Sequence, residues 1–313
     1  MRPNPGATPG DLASSAGSPG RARARRGTAR RHQRWGLYFV VPIFLLFVML
    51  KFIPIVWAIG LSFTHADLLS TPRFAGIANY QTLLIDPAFM QSLAATGYYV
   101  VGTCIPLWFL SLVLALLLNR QMRGITIFRL LYFLPGILPT VVLPVLWRFL
   151  YHPYGLINSL LAEVSVKGPD WLGNVHTVIP AFIITSEWRF IPLFTIIYLA
   201  GLQGIPAELM EAARIDGATA LQRFFRIVLP LLTPTILVVV ITSVILTAKS
   251  LPLALLMTGG GPGGASTLLS LFVYQNAFEF GHLGYASAAS VVLLAMLAIF
   301  TVMLLRFNRS YED

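Results

Sequence analysis

The sequence predicts an all-α integral membrane protein with six transmembrane helices. Of its 313 residues, 57% are hydrophobic and 11% are charged, whereas about 25% of the residues in soluble domains are charged. Six apolar segments are long enough to cross a bilayer, which takes roughly 20 residues each. Folded in water, such a chain would expose large apolar patches. A soluble domain is therefore excluded.

The chain begins with a basic tail over residues 1–34. This tail is rich in Pro, Gly, Ala, Ser and Arg and contains no apolar run, so we expect it to be disordered and cytoplasmic. Its arginines could contact anionic lipid or nucleic acid, or they could only orient the first span. Their position directly before that span favours the second role. No short apolar region with a cleavage site follows, so we expect no removable signal peptide.

A transmembrane domain is predicted over residues 35–309, followed by a short C-terminal tail at 310–313. Its spans share length and apolar composition and are expected at 35–63, 92–119, 127–151, 175–200, 227–250 and 286–306. With the N-terminus inside, sixteen arginines fall on the inner side, while Arg73 and Lys167 fall outside. This distribution follows the positive-inside rule and predicts that both termini are cytoplasmic.

A charged segment, ELMEAARIDGATALQRFFRIVLP, separates the fourth and fifth spans at residues 208–230. We expect two short helices joined by a turn. Pro206 suits a first helical position, Gly217 suits the turn, and Asp216 is expected to cap the second helix. Four residues of that helix have the spacing of one apolar face: Leu221, Phe224, Phe225 and Val228. A generic amphipathic helix on the membrane surface is the alternative.

This segment also resembles the EAA loop of ABC importer permeases. The resemblance is carried by Glu211, Ala212, Ala213, Asp216, Gly217 and Ala218, and by the closing Val228-Leu229-Pro230. In that family the loop forms coupling helices that dock in a cleft of a cytoplasmic ATPase. The resemblance therefore implies that these residues couple the chain to an ATPase. It also implies a type I ABC importer permease bundle, with a cytoplasmic coupling loop at about 203–227.

Over about residues 36–309 the chain resembles the binding-protein-dependent carbohydrate permeases of the maltose and glycerol-phosphate type. The resemblance implies a heteromeric complex in the bacterial cytoplasmic membrane. Its other members would be a second permease, two ABC ATPase subunits and an extracytoplasmic binding lipoprotein that delivers a sugar. ATP and Mg²⁺ would be bound by the ATPase, since this chain has no P-loop with its Lys and Ser/Thr. We expect no cofactor, metal, catalytic or nucleic-acid site in the chain itself.

Charged residues inside the apolar spans are candidates for a site, because a charge at mid-bilayer costs about 2.5–3.5 kcal/mol. Lys51, Glu187 and Arg189 lie well inside their spans, whereas Arg148 and Lys249 lie near outer ends and can snorkel. Glu187 and Arg189 are two residues apart and point to different helix faces. We expect Glu187 to face the bundle interior, with Lys249 or Arg148 as its partner. A purely structural ion pair is the alternative.

Hydroxyl side chains mark the fifth span, where Ser243, Thr247 and Ser250 have the spacing of one helix face. They would either hydrogen-bond within the bundle or line a sugar pathway. In the resembling maltose-type permeases, substrate meets the fourth and fifth core helices. The resemblance places Ser186, Trp188 and Arg189 on the fourth helix and these three hydroxyls on the fifth.

Together with Glu187 and Lys249, these residues form the candidate substrate pathway. Trp188 is expected either to stack on a sugar face or to pack in the bundle. The cations Arg189 and Lys249 depart from the maltose pattern, which also has polar amides that this chain lacks. They favour an anionic or amine-bearing sugar over a neutral maltodextrin.

Other functions stay open from the residues alone. A stand-alone secondary transporter would show inverted repeats and ion-coupling carboxylates, and the sequence has no repeat and one deeply placed carboxylate. A membrane enzyme acting on lipid-linked sugars would need clustered acidic or metal-ligating residues near an interface. An ABC importer for a non-sugar solute such as glycerol phosphate is a third alternative.

Overall fold

The computed structural model describes residues 40–68, 70–119 and 125–309. The predicted basic tail at 1–34 and the C-terminal tail at 310–313 lie outside these residues. The chain divides into two compact units, Met1–Trp57 and Ala58–Asp313. Within the first unit the described residues, 40–57, are helical, and the candidate sites discussed below belong to the second.

Most of the described chain is helical, which confirms the all-α prediction. The helices are α1 (Val40–Ser62), α2 (Ala78–Ile85), α3 (Pro87–Leu118), α4 (Ile125–Ile137), α5 (Val142–Leu150), α6 (Leu156–Glu163), α7 (Val178–Gln203), α8 (Ala207–Ile215), α9 (Ala220–Arg223), α10 (Leu229–Ala248), α11 (Leu251–Met257), α12 (Leu269–Tyr274) and α13 (Leu283–Arg309). Wider π-helical turns occur at Val48–Phe52, Phe224–Val228 and Gln275–Glu279.

The described residues contain five helical segments long and apolar enough to cross a membrane. These are α1, α3, α7, α13 and Ala220–Met257, which comprises α9, the second π-turn, α10 and α11. The third predicted span, 127–151, is not one helix: α4 ends at Ile137 and α5 begins at Val142. Pro139 lies in the break, and the residue before a proline is disfavoured in helical geometry. The uninterrupted apolar composition concealed this division.

Helices α3 and α7 form the centre of the second unit, and α10 packs against both. One buried cluster joins α3, α5, α7, α11 and α12 around Tyr99 and Phe182. A second joins α3, α7 and α10 around Phe194 and Leu232. A third connects α2, α3, α12 and α13 around Phe272. The fold thus provides a frame of packed helices that holds the polar residues described below.

A short antiparallel pair of strands follows α1. Strand β1 (Thr64–His65) pairs with β2 (Arg73–Phe74), with Thr64 opposite Phe74. The side-chain amide of Asn79 on α2 donates to the carbonyls of Ser62 and Thr64, at 2.8 and 2.9 Å. These bonds fasten the strand pair to α2.

The apolar face expected in the second helix of the charged segment is divided in the structure. Phe224 packs against the core and Val228 is buried, whereas Leu221 and Phe225 are 68% and 56% exposed. The π-turn at Phe224–Val228 accounts for the difference, because its wider turn shifts the register of a regular α-helix. The prediction of one continuous apolar face is therefore wrong.

Candidate functional site

A cavity of about 350 Å³ opens between α4, α5, α7 and the junction of α10 with α11. Its size falls within the usual range of small-molecule sites. We call it the polar cavity, because five polar residues stand among its apolar lining residues: Thr140, Ser186, Arg189, Lys249 and Ser250. Four of these five were assigned to the substrate pathway from the sequence, and Thr140, which lies in the break between α4 and α5, was not.

The helices explain how these residues meet. Ser186 and Arg189 are three positions apart on α7 and so share one face. Helix α10 ends at Ala248, and Lys249 and Ser250 lie in the bend before α11. Pro252 supports that bend, since it has no N–H to donate to the carbonyl four residues earlier. The bend directs Ser250 toward the cavity, out of line with the rest of α10.

Tyr99 of α3 forms hydrogen bonds with the hydroxyls of both Ser186 and Ser250. It is fully buried, its hydroxyl lies 2.6 Å from that of Ser186, and it donates to the Ser250 hydroxyl at 3.3 Å. Because Tyr99 has one hydroxyl hydrogen, Ser186 donates to Tyr99. Ser250 in turn donates to the carbonyl of Leu246 at 3.3 Å. Sequence reasoning missed Tyr99, although a tyrosine inside an apolar span requires a hydrogen-bond partner.

The two cations of the polar cavity carry no counter-charge in the described parts of the chain. Arg189 is half-buried, and its guanidinium carbon lies 5.3 Å from the centroid of the Phe190 ring. Lys249 is exposed and also borders a second, largely apolar cavity of about 650 Å³. The ion pair found within the described residues, between His282 and Asp67, lies elsewhere.

Glu187 does not line the polar cavity. Both of its carboxylate oxygens are buried and have no hydrogen-bond partner among the described residues. The predicted ion pair with Lys249 or Arg148 is therefore wrong. The reason is geometric, since Glu187 lies two positions from Arg189 on α7 and so points away from the face that meets Lys249.

The remaining predicted pathway residues lie outside the cavity lining. Ser243 and Thr247 are fully buried. Ser243 accepts a 2.8 Å hydrogen bond from the indole N–H of Trp108 on α3, and Thr247 lies 3.8 Å from the thiol of Cys104. These contacts suit the bundle-packing alternative, and a pathway role for both residues stays a prediction.

Trp188 also lies outside the lining of the polar cavity. Its side chain is 39% exposed, and its ring packs edge-on against that of Trp147, with centroids 5.7 Å apart. Stacking of Trp188 on a sugar therefore stays a prediction.

A second candidate site is the elbow, which we define as residues 207–228. Its first helix, α8, ends in a Schellman motif: Gly217 donates its N–H to the carbonyl of Arg214 at 3.2 Å, and Ala218 donates to Ala213 at 3.0 Å. Gly217 has φ +76°, the left-handed geometry that this motif requires. The spacing of Ala213, Gly217 and Ala218 in the predicted motif is thus the spacing of one helix-terminating turn.

The start of the next helix differs from the expectation. Asp216 is the C-cap of α8 and does not cap α9. That role belongs to Thr219, whose hydroxyl accepts from the N–H of Gln222 at 3.3 Å while the Gln222 side chain accepts from the N–H of Thr219 at 2.8 Å. This reciprocal pair is a capping box, and the Thr-x-x-Gln pattern could have revealed it. Pro206 likewise precedes the first helical residue and is the N-cap of α8.

The elbow is anchored on one side and open on the other. Met210 and Phe224 pack against the cluster formed by α3, α7 and α10. Glu211, Ala212, Asp216 and Gly217 are exposed, and Ala213 and Ala218 are partly so. Exposed apolar side chains surround them, with Leu209 at 46%, Ile215 at 87%, Leu221 at 68% and Phe225 at 56%. An anchored, exposed and partly apolar surface suits docking of another protein.

The second unit combines membrane-length helices, a polar cavity between them and an anchored, exposed elbow. These features are those of a membrane transport protein. Residues 91–312 match the family described as the binding-protein-dependent transport system inner membrane component. The match covers more than half of the chain, which therefore belongs to this family. The chain is a multi-pass permease subunit of an ABC importer.

Relatives agree with this assignment. The trehalose/maltose transport system permease protein MalF of Thermococcus litoralis is 32% identical over 286 residues, which cover 90% of this chain and 96% of the relative. The sulfoquinovosyl glycerol transport system permease protein SmoG of Agrobacterium fabrum is 32% identical over 276 residues, covering 87% and 90%.

A solved structure shows the same fold. It is the crystal structure of a bacterial ABC transporter involved in the import of the acidic polysaccharide alginate. It superposes with a TM-score of 0.77 and 21% identity, over 92% of this chain and 100% of that one.

Proposed function

We propose that this permease carries a saccharide through the polar cavity and that the elbow receives the driving force from a partner ATPase. The observation that carries the proposal is the cavity itself, which brings residues from α7 and from the α10–α11 bend to one place. Transport of the relatives' named substrates, trehalose, maltose and sulfoquinovosyl glycerol, supports the saccharide class.

The hydrogen-bond pattern around Tyr99 supports a polyol ligand. Ser186 donates its hydroxyl hydrogen to Tyr99, and Ser250 donates its own to the carbonyl of Leu246. Their remaining lone pairs are available as acceptors, and a saccharide offers hydroxyl donors on every ring. The apolar lining residues Phe190 and Leu193 suit the C–H faces of a sugar ring. A ligand with hydroxyls and apolar faces therefore fits this cavity.

The elbow is proposed as the docking site of a cytoplasmic ATPase. Glu211 and Gly217 are exposed in it, while Met210 and Phe224 hold it against the core. Binding of ATP and Mg²⁺ by two such ATPase subunits would move the elbow, and the helix that begins at Ala220 would transmit the movement to the cavity. The full complex would contain a second permease and an extracytoplasmic binding protein, with both termini of this chain in the cytoplasm.

Purification and reconstitution test this function. The full chain, tagged and isolated from membranes of its host, should bring down a second permease and a stoichiometric P-loop ATPase. In proteoliposomes, uptake of a labelled disaccharide should require internal ATP and external binding protein. Uptake driven by an ion gradient without ATPase would refute the proposal in favour of a secondary transporter. Transport of glycerol phosphate but no saccharide would refute the substrate class.

A further inference from the structure

The polar cavity has an excess of positive charge that its own lining does not neutralise. Arg189 and Lys249 both line it, and no Asp or Glu does. Neither cation has an ion-pair partner among the described residues, and Glu187, the nearest carboxylate in sequence to Arg189, points elsewhere. The half-buried Arg189 favours a counter-charge, because its low-dielectric surroundings strengthen the attraction of an anion. The exposed Lys249 adds a second positive charge beside it.

The polar cavity contains two kinds of polar group, serine hydroxyls that can accept hydrogen bonds and cations that can only donate them. Ser186 and Ser250 present lone pairs, since their hydrogens are bonded to Tyr99 and to the carbonyl of Leu246. They are therefore acceptors for neutral hydroxyls and poor partners for an anion. Arg189 and Lys249 are donors only. A ligand that satisfies both halves needs hydroxyl groups at one end and an anionic group at the other.

We propose that the polar cavity contains an anion subsite, formed by Arg189 and Lys249, that selects an acidic saccharide. The anionic group is a carboxylate, sulfonate or phosphate attached to a sugar ring. Arg189 supplies a planar fork that binds two oxygens of such a group, and Lys249, in the bend before α11, supplies a second positive charge. Ser186 and Ser250 accept hydrogen bonds from the sugar hydroxyls. This inference rests on the proposed function and specifies its substrate.

The test compares two disaccharides of identical linkage, glucosyl-glucose and glucuronosyl-glucose, which differ only in a terminal CH₂OH or carboxylate. Uptake and substrate-stimulated ATP hydrolysis are measured on the complete reconstituted complex with its binding protein. The binding protein is the same for every permease variant, so a change in the acid-to-neutral ratio between variants reports on the permease alone. We expect the wild-type complex to prefer the acidic disaccharide by at least about tenfold.

Substitutions of Arg189 and Lys249 test whether these residues cause the preference for the acidic disaccharide. Arg189→Gln and Lys249→Gln should each raise KM for the glucuronosyl disaccharide about tenfold or more, and change KM for the neutral disaccharide less than about twofold, because only the charge-assisted bonds are lost. Arg189→Lys should restore part of the acidic preference. The matched control is Arg148→Gln, since Arg148 is exposed on α5 and does not line the cavity. This control should leave both KM values unchanged.

Four results would overturn the subsite. An equal rise in KM for both disaccharides in Arg189→Gln and Lys249→Gln would show that the two cations do not distinguish the acid from the neutral sugar. An acid-to-neutral ratio that depends on phosphatidylglycerol in otherwise phosphatidylcholine vesicles would place a lipid headgroup there. An acid-to-neutral ratio that is the same in the wild type, Arg189→Gln and Lys249→Gln would reject the subsite and leave the permease function intact. Failure to transport either disaccharide with ATP would reject both.

Discussion

The elbow allows one substitution to be worked out in detail, because Gly217 combines a left-handed backbone with open surroundings. Its φ is +76°, and a Cβ placed there would meet no atom within 4 Å. A side chain at this position therefore causes no clash, and its whole cost is the left-handed geometry, about 1–2 kcal/mol for an L-residue. That cost lowers the equilibrium constant for forming the native turn by roughly 5- to 30-fold. We expect Gly217→Val to weaken coupling by up to a factor in this range.

The assay measures ATP-dependent saccharide uptake and the number of saccharides carried per ATP, at equal amounts of inserted complex. Gly217→Asn should retain most of the activity, since asparagine tolerates the left-handed region. The matched control is Gly76→Val. Gly76 also has positive φ, +59°, and no atom within 4 Å of a Cβ, but it lies near β2, outside the elbow. Wild-type coupling in Gly217→Val, or equal losses at Gly217 and Gly76, would refute the reasoning.

Three further predictions concern the elbow, the buried carboxylate and the bundle. Leu221→Arg should reduce copurification of the ATPase at least tenfold without lowering the unfolding midpoint of the permease, because its side chain is 68% exposed; unchanged copurification would exclude it from the docking surface. Glu187→Leu should raise that midpoint, since two buried carboxyl oxygens without partners are replaced by an apolar side chain; a lower midpoint would refute this reasoning. Ser243→Ala should lower the free energy of unfolding by about 1–2 kcal/mol, because it leaves the indole N–H of Trp108 without an acceptor. The control is Ser159→Ala, which should leave the free energy of unfolding unchanged, because Ser159 is exposed and its hydroxyl donates to the carbonyl of Gly155 at the start of its own helix.

Much of this molecule could be predicted from local patterns. The elbow was predicted because a charged segment separates two apolar spans, because Gly217 suits a turn, and because its residues resemble the EAA loop. Arg189 and Lys249 were found because charges in apolar spans are costly and therefore conspicuous. Each of these residues is recognised from its type and its place in the sequence alone, so no knowledge of the fold is needed.

The features that escaped prediction depend on contacts between distant segments or on gradual changes of geometry. Tyr99 lies 87 residues from Ser186 along the chain, and nothing in the spacing of either links them. Thr140 entered the cavity because α4 and α5 separate at Pro139, a division that an unbroken hydropathy profile does not show. Glu187 was expected to pair with Lys249 or Arg148. The packing of α7 directs its side chain away from the polar cavity that Lys249 lines, and the spacing of the residues does not reveal this orientation.

The helix α10 joins the elbow to the polar cavity as a single rod. It runs from Leu229 to Ala248 over 20 residues, which is about 30 Å at 1.5 Å per residue. Since each residue of a helix turns by about 100°, the number of residues between the two ends determines which way each one faces. Insertion of a single alanine in α10 would rotate the residues on one side of the insertion by about 100° relative to those on the other. It would therefore set the elbow and the cavity end of α10 out of register. The length of α10 thus fixes the rotational relation between the elbow and the residues that line the polar cavity.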